Sequence, residues 1–422
     1  MSSFFLFVKL LFFFGLAFYC ILRKNELAVF YLPVLFFAEK VVGAISPAFL
    51  FYATICLIYV MLIIRNGLFF RNNVWALILI VYFLILLNNS SDLTTIRPHF
   101  FAVMWLFILI PLIPAIYKKH SAETVFKELS NACLLILILF LANSLVSSVY
   151  KFSPTEMYGF TSGILFGNLW AAAFNTLAIA LFVVFFKGVT ERKFIYLAVA
   201  IVSFFFIMLT LRRSVIGLSA LGILIVMLSM MTRQKAKMIF VTASLLLVAG
   251  VVIYTQTDFM DEFIGRVEQR KLEDRELTEE KRYIEYSLIY DDMFVYHAYS
   301  PWFGYELFNS GGNYGKGILA DRSLHGDITN LLHSSGVLGV LLYLCMVATA
   351  FWQAIRAAKQ PRDKWIILFS ACVFTVYTLT GRYTEVAASS LLYLVLMLPL
   401  ASQEEEQPEL AETMPEPAVN KA

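Results

Sequence analysis

Two adjacent arginines, Arg212 and Arg213, interrupt an otherwise apolar stretch that runs from Phe194 to Met231. A guanidinium group stays ionised and binds phosphate oxygens in a bidentate manner, so the pair could form an anion site. The alternative is structural, because the two arginines could mark a tight turn or extend their charges to lipid headgroups. We favour anion binding for at least one of them, since a tight turn needs no charge and ionisable residues inside a membrane segment usually serve function.

Histidine is scarce in this chain, and His325 holds the most informative position of the five. It lies in the segment 323–327, directly before the apolar helix that follows a long hydrophilic stretch. The first turn of a helix presents free N–H groups and a positive dipole, which suits this place to an anion. Taken alone, a histidine at this position is more often a loop residue without a special role.

The composition defines the elements that must position these residues. The chain has 422 residues, of which 60% are hydrophobic and 15% charged, whereas an ordinary soluble domain is about 45 to 50% apolar and about 25% charged. The apolar residues form runs near the roughly 20 residues that a helix needs to cross a bilayer. We therefore exclude a soluble enzyme and predict an all-α, polytopic integral membrane helix bundle.

We predict about 12 to 13 membrane spans. The second is too short to cross comfortably at about 1.5 Å per residue, so twelve spans are as defensible as thirteen. The predicted spans cover about residues 4–22, 27–38, 46–64, 74–87, 99–116, 132–149, 163–186, 194–211, 214–231, 238–255, 333–356, 365–380 and 385–400.

Lysine and arginine in the short loops predict the orientation, because they accumulate on the cytoplasmic side. Seventeen lie on one side of the predicted topology and six on the other. The second side is thus predicted to be extracytoplasmic, and its six members are Lys40, Arg97, Lys151, Arg212, Arg213 and Arg382. Arg97, His99, His333 and Arg382 could help to bind a lipid phosphate or an acceptor on this side. For the two arginines and His99, a role as interfacial anchors is at least as good an interpretation.

The chain divides into four predicted regions: an N-terminal membrane bundle of about nine or ten spans (1–255), a long extracytoplasmic loop or cap (256–327), C-terminal spans (328–400) and a tail (401–422). The tail is polar and rich in proline, so we expect it to be disordered and cytoplasmic.

Four short motifs, all on the predicted external side, carry a resemblance to a known family. The first runs from His325 to Gly339, where the histidine precedes an apolar stretch and two glycines, Gly336 and Gly339. The second is the Thr–Leu–Arg–Arg–Ser segment 210–214, and the third is an arginine on the long loop, Arg282. The fourth, about twenty residues after Arg282, is the Ser–Pro–Trp–Phe–Gly segment 300–304. Taken together, and in their order along the chain, they resemble the O-antigen ligase and O-antigen polymerase superfamily of bacterial surface-polysaccharide enzymes.

The sequence departs from the family pattern after the histidine, where the family usually has Asn or Ser and this chain has Gly326. This departure concerns hydrogen bonding to the acceptor. The predicted number of spans before the long loop also exceeds that of the family by one, which concerns only the N-terminal part.

The resemblance implies a fold of the membrane glycosyltransferase (GT-C-like) type and a role in lipopolysaccharide or O-antigen biosynthesis at the periplasmic face of the bacterial inner membrane. It implies inverting, metal-independent transfer of a glycan from undecaprenyl pyrophosphate to a sugar hydroxyl on lipid A–core or on a second lipid-linked glycan, without a cofactor. Arg213 and Arg282, with Arg212 beside them, would bind the pyrophosphate, and His325 would act as the general base.

Two other classes of protein remain as alternatives. A polysaccharide flippase or another multi-span transporter would show interrupted helices and polar groups at the membrane midplane, whereas the charges here are predicted at one face. A non-catalytic scaffold or sensor would not need arginine and histidine at one level. A metal site at the adjacent Asp291 and Asp292 is the less favoured interpretation of that pair, because neighbours on a helix point in different directions.

Overall fold

The structure is a computed structural model of the chain. It describes residues 2–41, 45, 47–91, 93–150, 169, 171–210, 212–230, 281–310, 324, 326–380 and 383–401, together with single positions between 241 and 261. The predicted tail 401–422 lies outside the described residues apart from its first position.

The described residues form helices and no strand, which confirms the all-α prediction for this part of the chain. Apart from short 3-10 and π turns, the helices with defined bounds are α1 Ser2–Tyr19, α2 Leu32–Lys40, α3 Ala48–Asn66, α4 Val74–Leu87, α5 Leu93–Tyr117, α6 Ala122–Tyr150, α7 Asn175–Glu191, α8 Phe194–Leu209, α9 Arg213–Ser229, α10 Lys281–Tyr290, α11 Asp327–Ala357, α12 Pro361–Thr380 and α13 Val386–Leu396.

Five helical stretches of the described part are long and apolar enough to cross a membrane: Ser3–Lys40, Ala48–Asn66, Ile96–Tyr117, Ala122–Tyr150 and Asp327–Ala357. The shorter apolar helices α4, α8 and α13 pack beside them, and α9 packs against α7 and α12. These properties are those of a membrane helix bundle.

The stretch Ser3–Lys40 is a helical hairpin. A straight helix of 38 residues would be about 57 Å long, but the Lys9 ammonium group donates a hydrogen bond to the Glu39 carbonyl (2.7 Å). The chain turns back through a π turn and a 3-10 turn that together cover residues 20–31. The returning helix α2 has only nine residues and is largely buried, which agrees with the short second span predicted from the sequence.

The last helix, α13, lies in the centre of the bundle. All of its residues are buried, and it packs against α2, α5 and α7. The Tyr117 hydroxyl of α5 donates a hydrogen bond to the Leu394 carbonyl (2.7 Å). A helix that is apolar on all sides is stable only when it is surrounded by other helices, so the C-terminal spans share one core with the N-terminal bundle.

Ion pairs and polar contacts concentrate at the two ends of this bundle. One end, which we call the basic end, holds Lys24 paired with Glu128 of α6, and Lys119 paired with Glu26. The opposite end, which we call the site end, is formed by the start of α11, the start of α13, the α4–α5 turn and the loop that follows α10. The basic end corresponds to the side of the predicted topology that carries seventeen lysine and arginine residues.

Candidate functional site

The site end is organised around a break in α11. Gly336 interrupts the helix with φ 65° and ψ −170°, and a loop of residues 300–305, which we call the inserted loop, approaches the broken turn. Its backbone takes over hydrogen bonds that the helix would otherwise make internally. The three bonds across the break run from Val337 N–H to Pro301 O (2.9 Å), from Leu338 N–H to Trp302 O (3.3 Å) and from Tyr305 N–H to His333 O (2.7 Å).

Two glycines allow the two backbones to come this close. A Cβ atom at Gly336 would lie 2.3 Å from the Trp302 carbonyl, and one at Gly304 would lie 2.6 Å from the His333 carbonyl oxygen. Both glycines also have positive φ, 65° and 77°, which other residues rarely adopt. The structure thereby joins two of the four sequence motifs, the one that contains Gly304 and the one that contains Gly336.

The N-terminus of α11 is held by a buried carboxylate from α10. Glu285 is fully buried, and its Oε2 accepts a hydrogen bond from the Gly326 N–H (3.3 Å) and one from the Thr329 hydroxyl (3.1 Å). A negative charge at this position also interacts favourably with the helix dipole. Glu285 therefore joins α10, where the third motif lies, to the residue that follows His325.

A second carboxylate joins α11 to the last helix. Asp327 Oδ1 accepts a hydrogen bond from the Tyr383 N–H (2.7 Å), and both residues are buried. Next to this pair, partial burial and the negative charges of Glu285 and Asp327 raise the pKa of Tyr286. The Tyr286 phenol therefore stays protonated at neutral pH.

The inserted loop continues into a segment that is fixed to the α4–α5 turn and to α11. The Glu306 carboxylate accepts hydrogen bonds from the Ser91 N–H and hydroxyl. Two residues further on, the Phe308 N–H donates to the Ser334 hydroxyl (3.1 Å). The Leu324 N–H donates to the Ser310 hydroxyl (3.2 Å), so the described residue before His325 is tied to the end of the same segment.

His333 lies beneath the inserted loop and is 1% exposed. Its ring contacts the rings of Tyr299 and Tyr305, with centroids 5.6 and 5.4 Å away. The ring of His99, on α5, lies 6.1 Å from Phe308. Both histidines predicted as accessory groups are thus at the site end, and His333 is packed where it supports the loop.

The two arginines of the second motif open α9 at the same end. Arg212 is half-exposed, and its guanidinium group lies 5.5 Å from the centre of the Phe174 ring. Asn175 directly follows Phe174, and its backbone carbonyl accepts a hydrogen bond from the hydroxyl of Tyr377, near the end of α12. Arg213 is exposed, as is Arg97 in the first turns of α5. The described contacts connect Arg212 to the site end through α7 and α12.

Three other predicted site residues fall outside what the structure describes. Arg282 belongs to α10, but its side chain is outside the described residues, as are His325 and Arg382 altogether. For His325 the described neighbours are Leu324 and Gly326, which bond to Ser310 and Glu285.

Glu285 is the residue of the site that our sequence analysis left without a role. The spacing does contain a signal, because Glu285, Ile289 and Met293 follow one another at intervals of four and so share one side of a helix. All three are buried. A carboxylate on the apolar side of an amphipathic helix needs a partner inside the protein.

Within the described residues, no three His, Cys, Asp or Glu side chains are arranged to hold a metal ion. Asp291 and Asp292 begin a π turn, where the carbonyl of Asp291 accepts a hydrogen bond from the Tyr296 N–H (2.7 Å) and that of Asp292 one from the Ala298 N–H (2.7 Å).

Neither the models of known protein families nor the curated proteins gave a match to this chain.

Proposed function

We propose that the protein is an inverting, metal-independent glycosyltransferase of the O-antigen ligase or O-antigen polymerase type. In this proposal the site end faces the periplasm, and the bundle lies in the inner membrane of a bacterium. The enzyme takes a glycan from undecaprenyl pyrophosphate and joins it to a sugar hydroxyl on lipid A–core or on a second lipid-linked glycan.

The observation that carries the proposal is that three of the four sequence motifs meet in the structure, those at Arg282, at 300–304 and at 325–339. Glu285, three residues after Arg282, bonds to the residue after His325. The segment that contains Pro301, in turn, bonds across the helix break at Gly336. Segments that are up to about fifty residues apart in the sequence thus meet at one end of the bundle, as a shared reaction site requires.

The proposed reaction is a single displacement. The acceptor oxygen attacks the anomeric carbon, the bond from that carbon to the pyrophosphate oxygen breaks, and undecaprenyl pyrophosphate leaves with the electron pair. The acceptor proton passes to His325, whose neutral imidazole is suited to this task near pH 7 and would contribute about 10² to 10⁴-fold in rate. Attack from the opposite side inverts the configuration of the sugar.

The leaving pyrophosphate gains negative charge as the bond breaks. Fixed guanidinium groups at that point stabilise the transition state more than the ground state. We assign this role to Arg213 and Arg282, with Arg212 beside them. The half-exposed position of Arg212 and the exposed position of Arg213 at the start of α9 leave both accessible to a lipid-borne anion.

An interrupted helix is the one observation that favours a transporter instead, because transporters use unwound backbone groups to bind substrate. In α11, however, the N–H groups of Val337 and Leu338 and the carbonyl of His333 already bond to the inserted loop. These groups are therefore not available to a transported solute.

Deletion of the gene, followed by gel analysis of surface lipopolysaccharide, tests the proposal. A single repeat unit on the core indicates a polymerase, and full-length chains that remain on the lipid carrier indicate a ligase. Unchanged surface glycan together with altered uptake of a solute would favour the transporter and contradict the proposal.

A further inference from the structure

The inserted loop lies deeper than a loop outside a membrane would. Its hydrogen bonds reach Val337 and Leu338, about 15 Å along α11 from its first residue. The Tyr82 hydroxyl of α4 donates to the Ser335 carbonyl at nearly the same level (2.7 Å). Beyond Tyr82 the apolar run of α4 continues to Leu87, which is about 7 Å further towards the site end.

The other end of α11 gives an independent measure of depth. The Arg356 guanidinium group lies 4.5 Å from the centre of the Trp352 ring, a pairing of residue types that is typical of the membrane–water interface. From Trp352 back to Gly336 the helix rises about 24 Å. Because the hydrocarbon layer is about 30 Å thick, the break lies several ångströms inside the boundary at the site end.

The neighbouring surface of α4 is suited to lipid at this depth. Val81, Leu84 and Ile85 are 48%, 51% and 61% exposed. All three lie at the level of the break in α11 or closer to the site end. Such a surface of exposed aliphatic side chains on a membrane bundle contacts acyl chains. The inserted loop, which meets α11 beside α4, is therefore next to a lipid-facing surface.

Several backbone groups of the loop are hydrogen-bonded within the protein, as an apolar environment favours. Non-helical backbone within the membrane must have its polar groups satisfied by the protein. Pro301 has no N–H, and the carbonyls of Pro301 and Trp302 accept hydrogen bonds from α11. The other bonds run from Phe303 N–H to the Ser300 hydroxyl, from Gly304 N–H to Ser300 O and from Tyr305 N–H to His333 O.

The side chains of the loop point to the same environment. Trp302 is 62% exposed and Phe303 is 54% exposed, and the segment 299–305 carries no charge. The nearest charged residue, Glu306, is bonded to the α4–α5 turn. Without a cation the loop cannot recognise an anionic headgroup, whereas tryptophan and phenylalanine partition well into the outer part of the hydrocarbon layer.

We propose that the inserted loop is a membrane-embedded element and that Trp302 and Phe303 contact the acyl chains of the lipid leaflet at the site end. The proposal requires that the bundle crosses a membrane, but it does not depend on glycan transfer. In functional terms the loop would fix the break in α11 at a constant depth below the lipid surface.

Fluorescence quenching by brominated lipids tests the proposal on the full-length protein. The wild type and Trp302→Phe are reconstituted in phosphatidylcholine vesicles brominated near the headgroup or near the chain end, and the difference between them isolates the emission of Trp302. We expect shallow bromines to quench this component at least twofold more than deep ones, and aqueous acrylamide to quench it weakly.

Two tryptophans serve as internal controls. The difference for Trp352→Phe, near the C-terminal end of α11, should show a similar shallow profile. Trp105 is buried within an aromatic cluster. Its fluorescence emission should therefore be quenched neither by brominated lipid nor by acrylamide. Strong quenching of Trp302 by acrylamide without an effect of bromine would overturn the proposal, as would its protection by a soluble oligosaccharide, which would indicate a glycan-binding platform.

A second set of variants does not depend on fluorescence. Trp302→Asp and Phe303→Asp place a charge in the lipid layer, so we expect loss of folded protein from the membrane fraction. Tyr290→Asp is the matched control, because Tyr290 is 60% exposed but lies on α10 outside the loop. Equal yields for all three variants would contradict the proposed depth.

Discussion

At the N-terminus of α11 a single buried carboxylate, that of Glu285, bonds to the Gly326 N–H and the Thr329 hydroxyl. The residue before Gly326 is the proposed base, His325. In this account Glu285 is a positioning residue, because it holds the backbone next to His325 and need not touch the substrate.

We expect Glu285→Ala to destabilise the protein by roughly 1 to 3 kcal/mol, since it removes the acceptor of the buried Gly326 N–H, whereas the Thr329 hydroxyl can still donate to the Gly326 carbonyl (3.0 Å). Glu285→Gln retains an acceptor oxygen and should lose less. Thermal unfolding in detergent measures the effect, and Asp292→Asn is the control because it changes a carboxylate that is partly exposed. Equal melting temperatures for Glu285→Ala and the control would show that Glu285 does not hold α11.

How much of the site could be predicted differs from residue to residue. The roles of Arg213, Arg282 and His325 in binding an anion and accepting a proton stay predictions, because the side chain of Arg282 and all of His325 lie outside the described residues. The spacing of Glu285 and Ile289 indicates burial. The partner of Glu285 lies some forty residues away, and no local pattern encodes a contact over that distance.

Among the elements, the broken helix α11 is the one whose geometry depends most on individual residues. A Cβ atom at Gly336 would overlap the Trp302 backbone. We expect Gly336→Ala to cost roughly 2 to 5 kcal/mol, because positive φ and overpacking each contribute.

Gly217→Ala in α9 is the matched control, since a Cβ atom there meets nothing within 4 Å and alanine favours the helix by up to about 1 kcal/mol. The two variants should therefore shift the melting temperature in opposite directions. A Gly336→Ala protein as stable as the wild type would mean that the loop does not enter the helix as described.

The turn between α1 and α2 depends on a partly buried ion pair. Lys24 Nζ lies 2.7 Å from the carboxylate oxygens of Glu128, and the Tyr31 hydroxyl donates to the same carboxylate (2.7 Å). Removal of one partner leaves the other charge uncompensated, and because Lys24 keeps some exposure to solvent we expect Glu128→Leu to cost roughly 1 to 3 kcal/mol.

The double variant Lys24→Met with Glu128→Leu should recover much of that loss, because both charges are then removed. Melting temperatures of the two single variants and the double variant measure the coupling. Strictly additive losses would contradict the pair as a stabilising contact.

Among the described residues, the positions of several helices could be predicted from hydrophobicity, whereas the predicted span 238–255 lies mostly outside them. The predicted spans 46–64 and 74–87 compare with Ala48–Asn66 and Val74–Leu87 in the structure. The insertion of residues 300–305 into α11 could not be predicted, because the hydropathy of the 333–356 segment is continuous across Gly336. A glycine in such a run is compatible with close helix packing as well as with a break.

The proposed reaction requires that the site end of the whole bundle face the periplasm. The basic end holds ion pairs such as Lys119–Glu26 and Lys187–Glu191, and positive residues accumulate on the cytoplasmic side. We therefore expect the site end to be periplasmic.

Accessibility of single cysteines tests this orientation in whole cells. In a variant without the five native cysteines, Asn89→Cys in the α4–α5 turn should react with a membrane-impermeant maleimide. Lys193→Cys, which is at the basic end, should react only after permeabilisation. The reverse pattern would place the site in the cytoplasm, where the proposed periplasmic transfer could not occur.

A reconstituted transfer assay tests most directly whether the site end transfers a glycan from a lipid diphosphate. The protein in liposomes is given an undecaprenyl-pyrophosphate-linked glycan and either lipid A–core or more of the same donor, and the joined product is measured. We predict transfer by the wild type. Transfer should be lost in Arg213→Ala, Arg282→Ala and His325→Ala, although each variant is still inserted and folded. Arg213→Lys should recover little activity, because lysine lacks the bidentate geometry. Transfer at the wild-type rate by all three alanine variants would contradict the claim.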